Sequence, residues 1–187
     1  MLSKRRVRKA RNLKYEMPRR WHKSQLPKGT MAHETTEKQV SDGLMITLGR
    51  RYGFAASHRL HSEKLSDQEN WRVYGKCNNP YGHGHNYVVE IVMSGPVDAS
   101  TGMIVNLADL DDFVDREVIE AFDHKSLNED VAAFREKVPT TEILCVEIFE
   151  RLKRFPLAKL ERVRVEETSN NAFEYAGKEF EKREVVQ

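Results

Sequence analysis

Two stretches of the chain, Ile46–Ala56 and His83–Ser94, are dense in β-branched and apolar residues and read as strands, the second closed by Gly95-Pro96. Leu107, Leu110, Val114, Val118 and Ala121 then recur at three- and four-residue spacing, which predicts an amphipathic helix of about four turns. Asn106 is placed to cap it, with Asp109 at the third helical position in the manner of a capping box. Asp111, Asp112, Asp115 and Arg116 make its solvated face. A second helix begins after Pro139, capped by Thr140 or Thr141, and buries Leu144, Ile148, Phe149, Leu152 and Phe155. Cys145 lies near its apolar side and reads as a small core residue. Lys159–Glu167, with Val163 and Val165, and Ala172–Ala176 are closing strands joined by a turn at Ser169-Asn170-Asn171. The order β-β-α-α-β-β specifies an α+β fold. So few strands with two helices bury one sheet face well, so the edges and the other face call for an oligomeric partner.

Two segments carry no such pattern. Arg59–Pro80 is a polar connection, long enough to be functional rather than idle, and it delivers Cys77. Residues 1–45 sustain no apolar period and are expected to be a disordered extension ahead of one domain, residues 46–187.

Charge sharpens that division. Residues 1–30 hold 11 Lys and Arg against the single acid Glu16, a net of +10, so residues 31–187 hold 20 bases against 28 acids, a net of −8. The basic opening suits a mitochondrial presequence, a nucleic-acid-binding arm or a solvated tail with no specific role. No apolar run reaches the roughly 18 residues of a membrane helix. Two cysteines, Cys77 and Cys145, make no disulfide framework, which points to a reducing compartment, the cytoplasm by default.

The chemistry gathers in Gly75–Tyr87. His83 and His85 are two apart at the start of a strand, so both imidazoles face the same way. His58 closes the first strand, and antiparallel pairing would bring the three rings together. Three histidines with an open fourth position is the arrangement of a catalytic zinc. Cys77 is either a fourth ligand that closes a structural site or a thiolate base beside the metal, its pKa lowered by nearby positive charge. Spacing leaves both open. Asp123-His124 offers a proton-holding pair, although sequence neighbours rarely bond side chain to side chain, so the pair is expected to meet Cys77 through folding or across a subunit boundary. The competing reading makes His124 a cation at a helix C-terminus. Glu167 shares a strand face with Val163 and Val165, so its carboxylate points into a desolvated site and needs a partner there; Glu166 faces the other way.

The segments FAASHRL, GKCNNPYGHGHNY, TGMIVNLADL, FDHKSLN, PTTE and VEETSNN follow one another in the order and spacing of the 6-pyruvoyltetrahydropterin synthase family. The resemblance covers Ile46–Gly177, some 70 % of the chain, and not the basic tail. It implies the tunnelling fold, in which four-stranded antiparallel sheets with two helices on one face trimerise into a barrel and trimers stack into a homohexamer. It further implies conversion of 7,8-dihydroneopterin triphosphate to 6-pyruvoyltetrahydropterin with loss of triphosphate, with one Zn²⁺ per subunit and Mg²⁺ accompanying the triphosphate. Carried over by motif, His58, His83 and His85 resemble the zinc ligands and Cys77 the proton acceptor. Asp123 and His124 resemble its relay from an adjacent subunit. Glu167 resembles the pterin anchor, suited to it because a pterin edge offers two parallel N–H donors. Glu142 is a first-turn acid or a second pterin contact, and Thr140 and Thr141 of the PTTE motif join it as substrate-binding candidates. Ala55 and Tyr81 depart from the commonest family residues at positions without a proposed catalytic role. The carboxytetrahydropterin synthases of the same scaffold are the nearest rival. A nucleic-acid-binding protein with a structural zinc is a rival of another class, and it rests on the tail alone.

Overall fold

The computed structural model describes residues 44–177. The extension expected at 1–45 therefore lies almost wholly outside the described residues, except that Met45 already opens the first strand. The strands are β1 (Met45–His58), β2 (His83–Pro96), β3 (Lys125–Ser126), β4 (Lys159–Thr168) and β5 (Asn171–Tyr175). They form one sheet of order β3-β1-β2-β4-β5, antiparallel except for the two-residue parallel pairing of β3 with β1. The sheet thus has five strands where four are expected from sequence, because a corner after the first long helix returns beside Ala56 and Ser57.

Pairing of β1 with β2 runs unbroken from Met45↔Pro96 to His58↔His83. Residues directly opposite share a face, so Phe54, Ala56 and His58 lie on the same side as His83, His85, Tyr87, Val89, Ile91 and Met93. That side is the core. The helices α2 (Leu107–Val114), α3 (Glu120–Phe122) and α4 (Thr141–Leu152) contribute Leu110, Val114, Phe122, Leu144, Ile148 and Leu152 to it, all nearly free of solvent. Cys145 is buried among them, its thiol facing the Val163 and Phe173 carbonyls, as a small core residue should be.

The first long helix differs from expectation in two ways. The Asn106 side chain accepts the Ala108 N–H, so the cap is made at the second helical position and not with Asp109. A π turn at Asp115–Ile119 joins α2 to α3. The buried positions 110, 114, 118 and 122 are four apart, and a regular helix would carry each about 40° further round than the last. The wider turn absorbs that drift and presents Phe122 to the core in place of Ala121. Asp111 is also not a plain solvated acid: it ion-pairs with Arg50 and accepts the Tyr52 hydroxyl at 2.8 Å, tying α2 to β1.

The connection between β1 and β2 contains the helix α1 (Asp67–Tyr74), which the apolar pattern does not announce because Trp71 and Val73 are both exposed. It starts at a full capping box, with the Ser66 hydroxyl accepting the Glu69 N–H and the Glu69 carboxylate accepting the Ser66 N–H. Its one buried side chain is Asn70, whose amide donates to the Ser62, Leu65 and Ser66 carbonyls. Ser66→Ala is expected to cost about 1 kcal/mol, the usual worth of such a cap, measured as a lowered denaturant midpoint at constant slope.

The opposite sheet face carries ion pairs, between strands for Arg51 with Glu166 and Arg162 with Glu90 and Glu174, and within β4 for Arg164 with Glu166. Such half-exposed pairs contribute little stability each, but they keep this face from being an apolar surface. No helix among the described residues is long and apolar enough to cross a membrane.

Candidate metal centre

His58 ends β1 and His83 begins β2, so the end of the ladder sets them opposite one another. Gly82 makes the tight entry: its φ is +69°, and a Cβ there would sit 3.0 Å from the His58 carbonyl oxygen. The pleat then aims His85 the same way as His83. One nitrogen from each of His58, His83 and His85 falls within 4.8 Å of the others, and the Nε2 atoms of His58 and His83 are 3.1 Å apart.

These rings are held as ligands are held. His58 is 2 % exposed, and its Nδ1–H donates to the Pro139 carbonyl at 2.8 Å, which fixes the tautomer and leaves Nε2 a lone pair directed at the other rings. His85 Nε2 and His83 Nδ1 are buried with no hydrogen-bond partner. Buried polar atoms are almost always paired, so unpartnered imidazole nitrogens in one cluster fit a site for a cation. The donor set, three imidazoles, is the zinc set with one corner free.

Burial pushes the His58 and His83 pKa values down, and repulsion between the rings adds to it. Each therefore stays neutral in the folded chain at a pH where it would be charged in the unfolded one. The sign follows: metal-free protein keeps this stability above the ordinary value of 6.5 and loses it as pH falls toward the depressed folded values, where the unfolded state binds more protons. Urea midpoints in the presence of a chelator should fall as pH drops below 6.5, and a flat profile would contradict the burial of neutral rings. Bound metal should be released over the same window, because protons compete for the nitrogens.

Glu167 stands at the same place, since β4 puts it on the core face with Val163 and Val165. Its Oε1 is 3.6 Å from His85 Nε2 and 3.8 Å from His58 Nε2, and it accepts the Thr141 hydroxyl at 2.7 Å. Thr141, 2 % exposed at the start of α4, is thus tied to the carboxylate, whereas Thr140 is the helix cap, its hydroxyl accepting the Ile143 N–H. Glu142 is exposed, with its acid in the first turn of α4.

Cys77 lies in a 3₁₀ turn, Gly75–Asn78, that follows α1 and is stitched to the chain just beyond His58. Leu60 N–H donates to the Cys77 carbonyl at 2.8 Å, the Asn78 side chain donates to Leu60, and Arg59 donates to the Asn78 carbonyl. The sulfur is not part of the converging group of His58, His83 and His85. Burial pushes its pKa up, and the nearby Glu167 carboxylate pushes it further. The lowered thiol pKa expected from sequence is therefore absent from the protein's own groups; it needs a positive charge that the side chains here do not provide.

Asp123 and His124 bond directly, Nδ1 to Oδ2 at 2.8 Å, against the expectation for sequence neighbours. The geometry comes from the corner after α3, where His124 takes a φ of +57°. The Ala55 N–H donates to Asp123 Oδ1 and the His124 N–H to the Ala55 carbonyl, locking the corner to the edge of β1. Those bonds, the Ala55 N–H first and His124 second, hold the Asp123 carboxyl below its ordinary range. The His124 side chain is 84 % exposed, and among the described residues neither it nor Asp123 is bonded to Cys77.

Sequence reasoning passes over Pro139, whose carbonyl orients His58, and over Tyr87, whose hydroxyl lies 3.5 Å from His58 Nδ1. Tyr87 was legible as a third member of the His83, His85 face.

Known proteins carry the same arrangement of segments. Residues 47–178 match the family model for 6-pyruvoyl tetrahydropterin synthase. The chain is 47 % identical over 131 residues to the human 6-pyruvoyl tetrahydrobiopterin synthase, covering 70 % of this chain and 90 % of that one. It is 46 % identical over 133 residues to the Drosophila melanogaster protein of the same name, covering 70 % and 79 %. The solved Caenorhabditis elegans 6-pyruvoyl tetrahydropterin synthase superposes with a TM-score of 0.69 at 43 % identity, over 72 % of this chain and 97 % of that one. A sheet whose ladder ends in three converging histidines, matched over the whole described domain by such relatives, makes this chain a member of the 6-pyruvoyl tetrahydropterin synthase family.

Proposed function

We propose that the chain converts 7,8-dihydroneopterin triphosphate into 6-pyruvoyl-5,6,7,8-tetrahydropterin with elimination of inorganic triphosphate. The observation that carries this reading is the convergence of His58, His83 and His85 on one point with the Glu167 carboxylate beside them. The three imidazoles would hold a zinc ion, which supplies Lewis acidity toward a substrate oxygen. Glu167, oriented by Thr141, accepts the paired N–H donors of the pterin edge and so sets which carbon of the side chain faces Cys77. Cys77 takes the proton from that carbon and returns it further along the chain, a role that suits a sulfur outside the ligand group. His124, exposed and bonded to Asp123, would serve a neighbouring subunit as the proton relay. Mg²⁺ enters with the triphosphate as part of the substrate. Trimers closed into a barrel, and hexamers of two such trimers, would take up the outer edge of β5 and the length of β1 before Ala56 that β3 leaves uncovered among the described residues.

The test is incubation with 7,8-dihydroneopterin triphosphate, Zn²⁺ and Mg²⁺, followed by a sepiapterin-type reductase. Tetrahydrobiopterin is the expected product. Formation of carboxytetrahydropterin alone would assign the chain to the other activity known on this scaffold.

A further inference from the structure

The turn that carries Cys77 has no apolar anchor. None of the four residues of Gly75–Asn78 is buried, so hydrogen bonds and not core packing set where the sulfur stands. One side chain supplies two of them. The Asn78 amide donates to the Leu60 carbonyl at 2.7 Å and lies 3.0 Å from His61 Nδ1. A carbonyl can only accept, so the atom facing Leu60 is the amide nitrogen, and its second N–H is the one aimed at His61. The Arg59 guanidinium comes to the same ring nitrogen, its Nη2 at 3.3 Å, while its Nε donates to the Asn78 carbonyl at 3.2 Å. With two donors converging on it, Nδ1 is an acceptor, and the His61 proton sits on Nε2. These contacts join the turn to the three residues that follow His58. That segment is itself fixed by Asn128, whose side chain accepts the Arg59 N–H at 2.8 Å and donates to the Arg59 carbonyl at 3.0 Å.

We propose that Asn78, with His61 as the acceptor that orients its amide, is the positioning residue that sets the Cys77 sulfur against the end of the β1–β2 ladder. The inference rests on the assignment of Cys77 as the base in the function proposed above. Asn78 follows Cys77 directly, with about 3.8 Å between their Cα atoms, so a swing of the asparagine carries the sulfur with it. A reacting group displaced by about 1 Å loses about 10²-fold in rate. The carboxylate assigned to the pterin, Glu167, is oriented by Thr141 and not by this clasp, so loss of the clasp falls on kcat and leaves KM nearly as it was.

Asn78→Ala, made in the full chain, should keep its circular dichroism and zinc content, hold KM within about threefold and lower kcat by about 10–100-fold. A second readout needs no substrate: alkylation of Cys77 by iodoacetamide, with Cys145 buried out of reach. In the unmutated protein added Zn²⁺ should speed it, because a nearby dication draws the proton off sulfur. In Asn78→Ala that gain should be lost. His61→Leu, which removes the acceptor, should behave like Asn78→Ala, whereas His61→Asn, whose Oδ1 takes the place of Nδ1, should recover both readouts. Unchanged kcat and an unchanged alkylation gain in Asn78→Ala overturn the proposal, and so does a loss of zinc in step with kcat, which makes the role structural. If Asn78→Ala does not fold, the His61 pair decides, and equal behaviour of its two variants overturns the proposal. An unmutated protein that makes no product overturns the functional reading, while the alkylation comparison still decides whether Asn78 sets the thiol. Absence of any gain with Zn²⁺ in the unmutated protein overturns both.

Discussion

Cys77→Ala is expected to lower turnover by about 10²–10⁴-fold, the range a positioned acid–base group supplies, with zinc content unchanged. Two observations set this expectation. The sulfur stays out of the cluster of His58, His83 and His85, so its removal takes no ligand away. Its turn is nevertheless pinned to the residues just after His58 by three hydrogen bonds, and its thiol feels the Glu167 carboxylate that stands beside the rings. Burial and Glu167 keep the proton on sulfur in the protein alone. A dication nearby would shift that balance toward thiolate, so the group would become a base only with a metal in place. Paired zinc analysis and product assay on the variant check this; a protein that loses zinc along with the thiol would make Cys77 a ligand.

His58→Ala is expected to weaken zinc binding by more than the 10–100-fold typical of an outer-shell change and to take activity below detection. It should also destabilise the metal-free fold by about 1–3 kcal/mol, because the Pro139 carbonyl loses its donor in a buried place. The two effects separate by experiment. Denaturation in chelator reads the second alone, and competition with a chromogenic chelator reads the first. An unchanged zinc affinity would remove His58 from the ligand set.

The geometry of the metal centre was largely legible because strands repeat every two residues. His83 and His85 fall on one face by count alone, and His58 joins them once its strand pairs in the one register that keeps Phe54 and Ala56 inside. Glu167 was legible by the same count from Val163 and Val165. What escaped has causes that no apolar period carries. Helix α1 is organised round a polar residue, Asn70, and its start was written only in the Ser66-to-Glu69 spacing. The direct bond between Asp123 and His124 depends on a left-handed backbone at His124 that β1 imposes from outside. The choice between Thr140 and Thr141 was undetermined because either could cap α4; the fold gives the cap to Thr140 and leaves the Thr141 hydroxyl for Glu167.

On this reading three imidazoles would hold the metal while the sulfur of Cys77 stands outside their group. X-ray absorption at the zinc edge counts the neighbours directly. Nitrogen and oxygen alone at about 2.0–2.2 Å is the predicted result, and a sulfur neighbour at about 2.3 Å would contradict it.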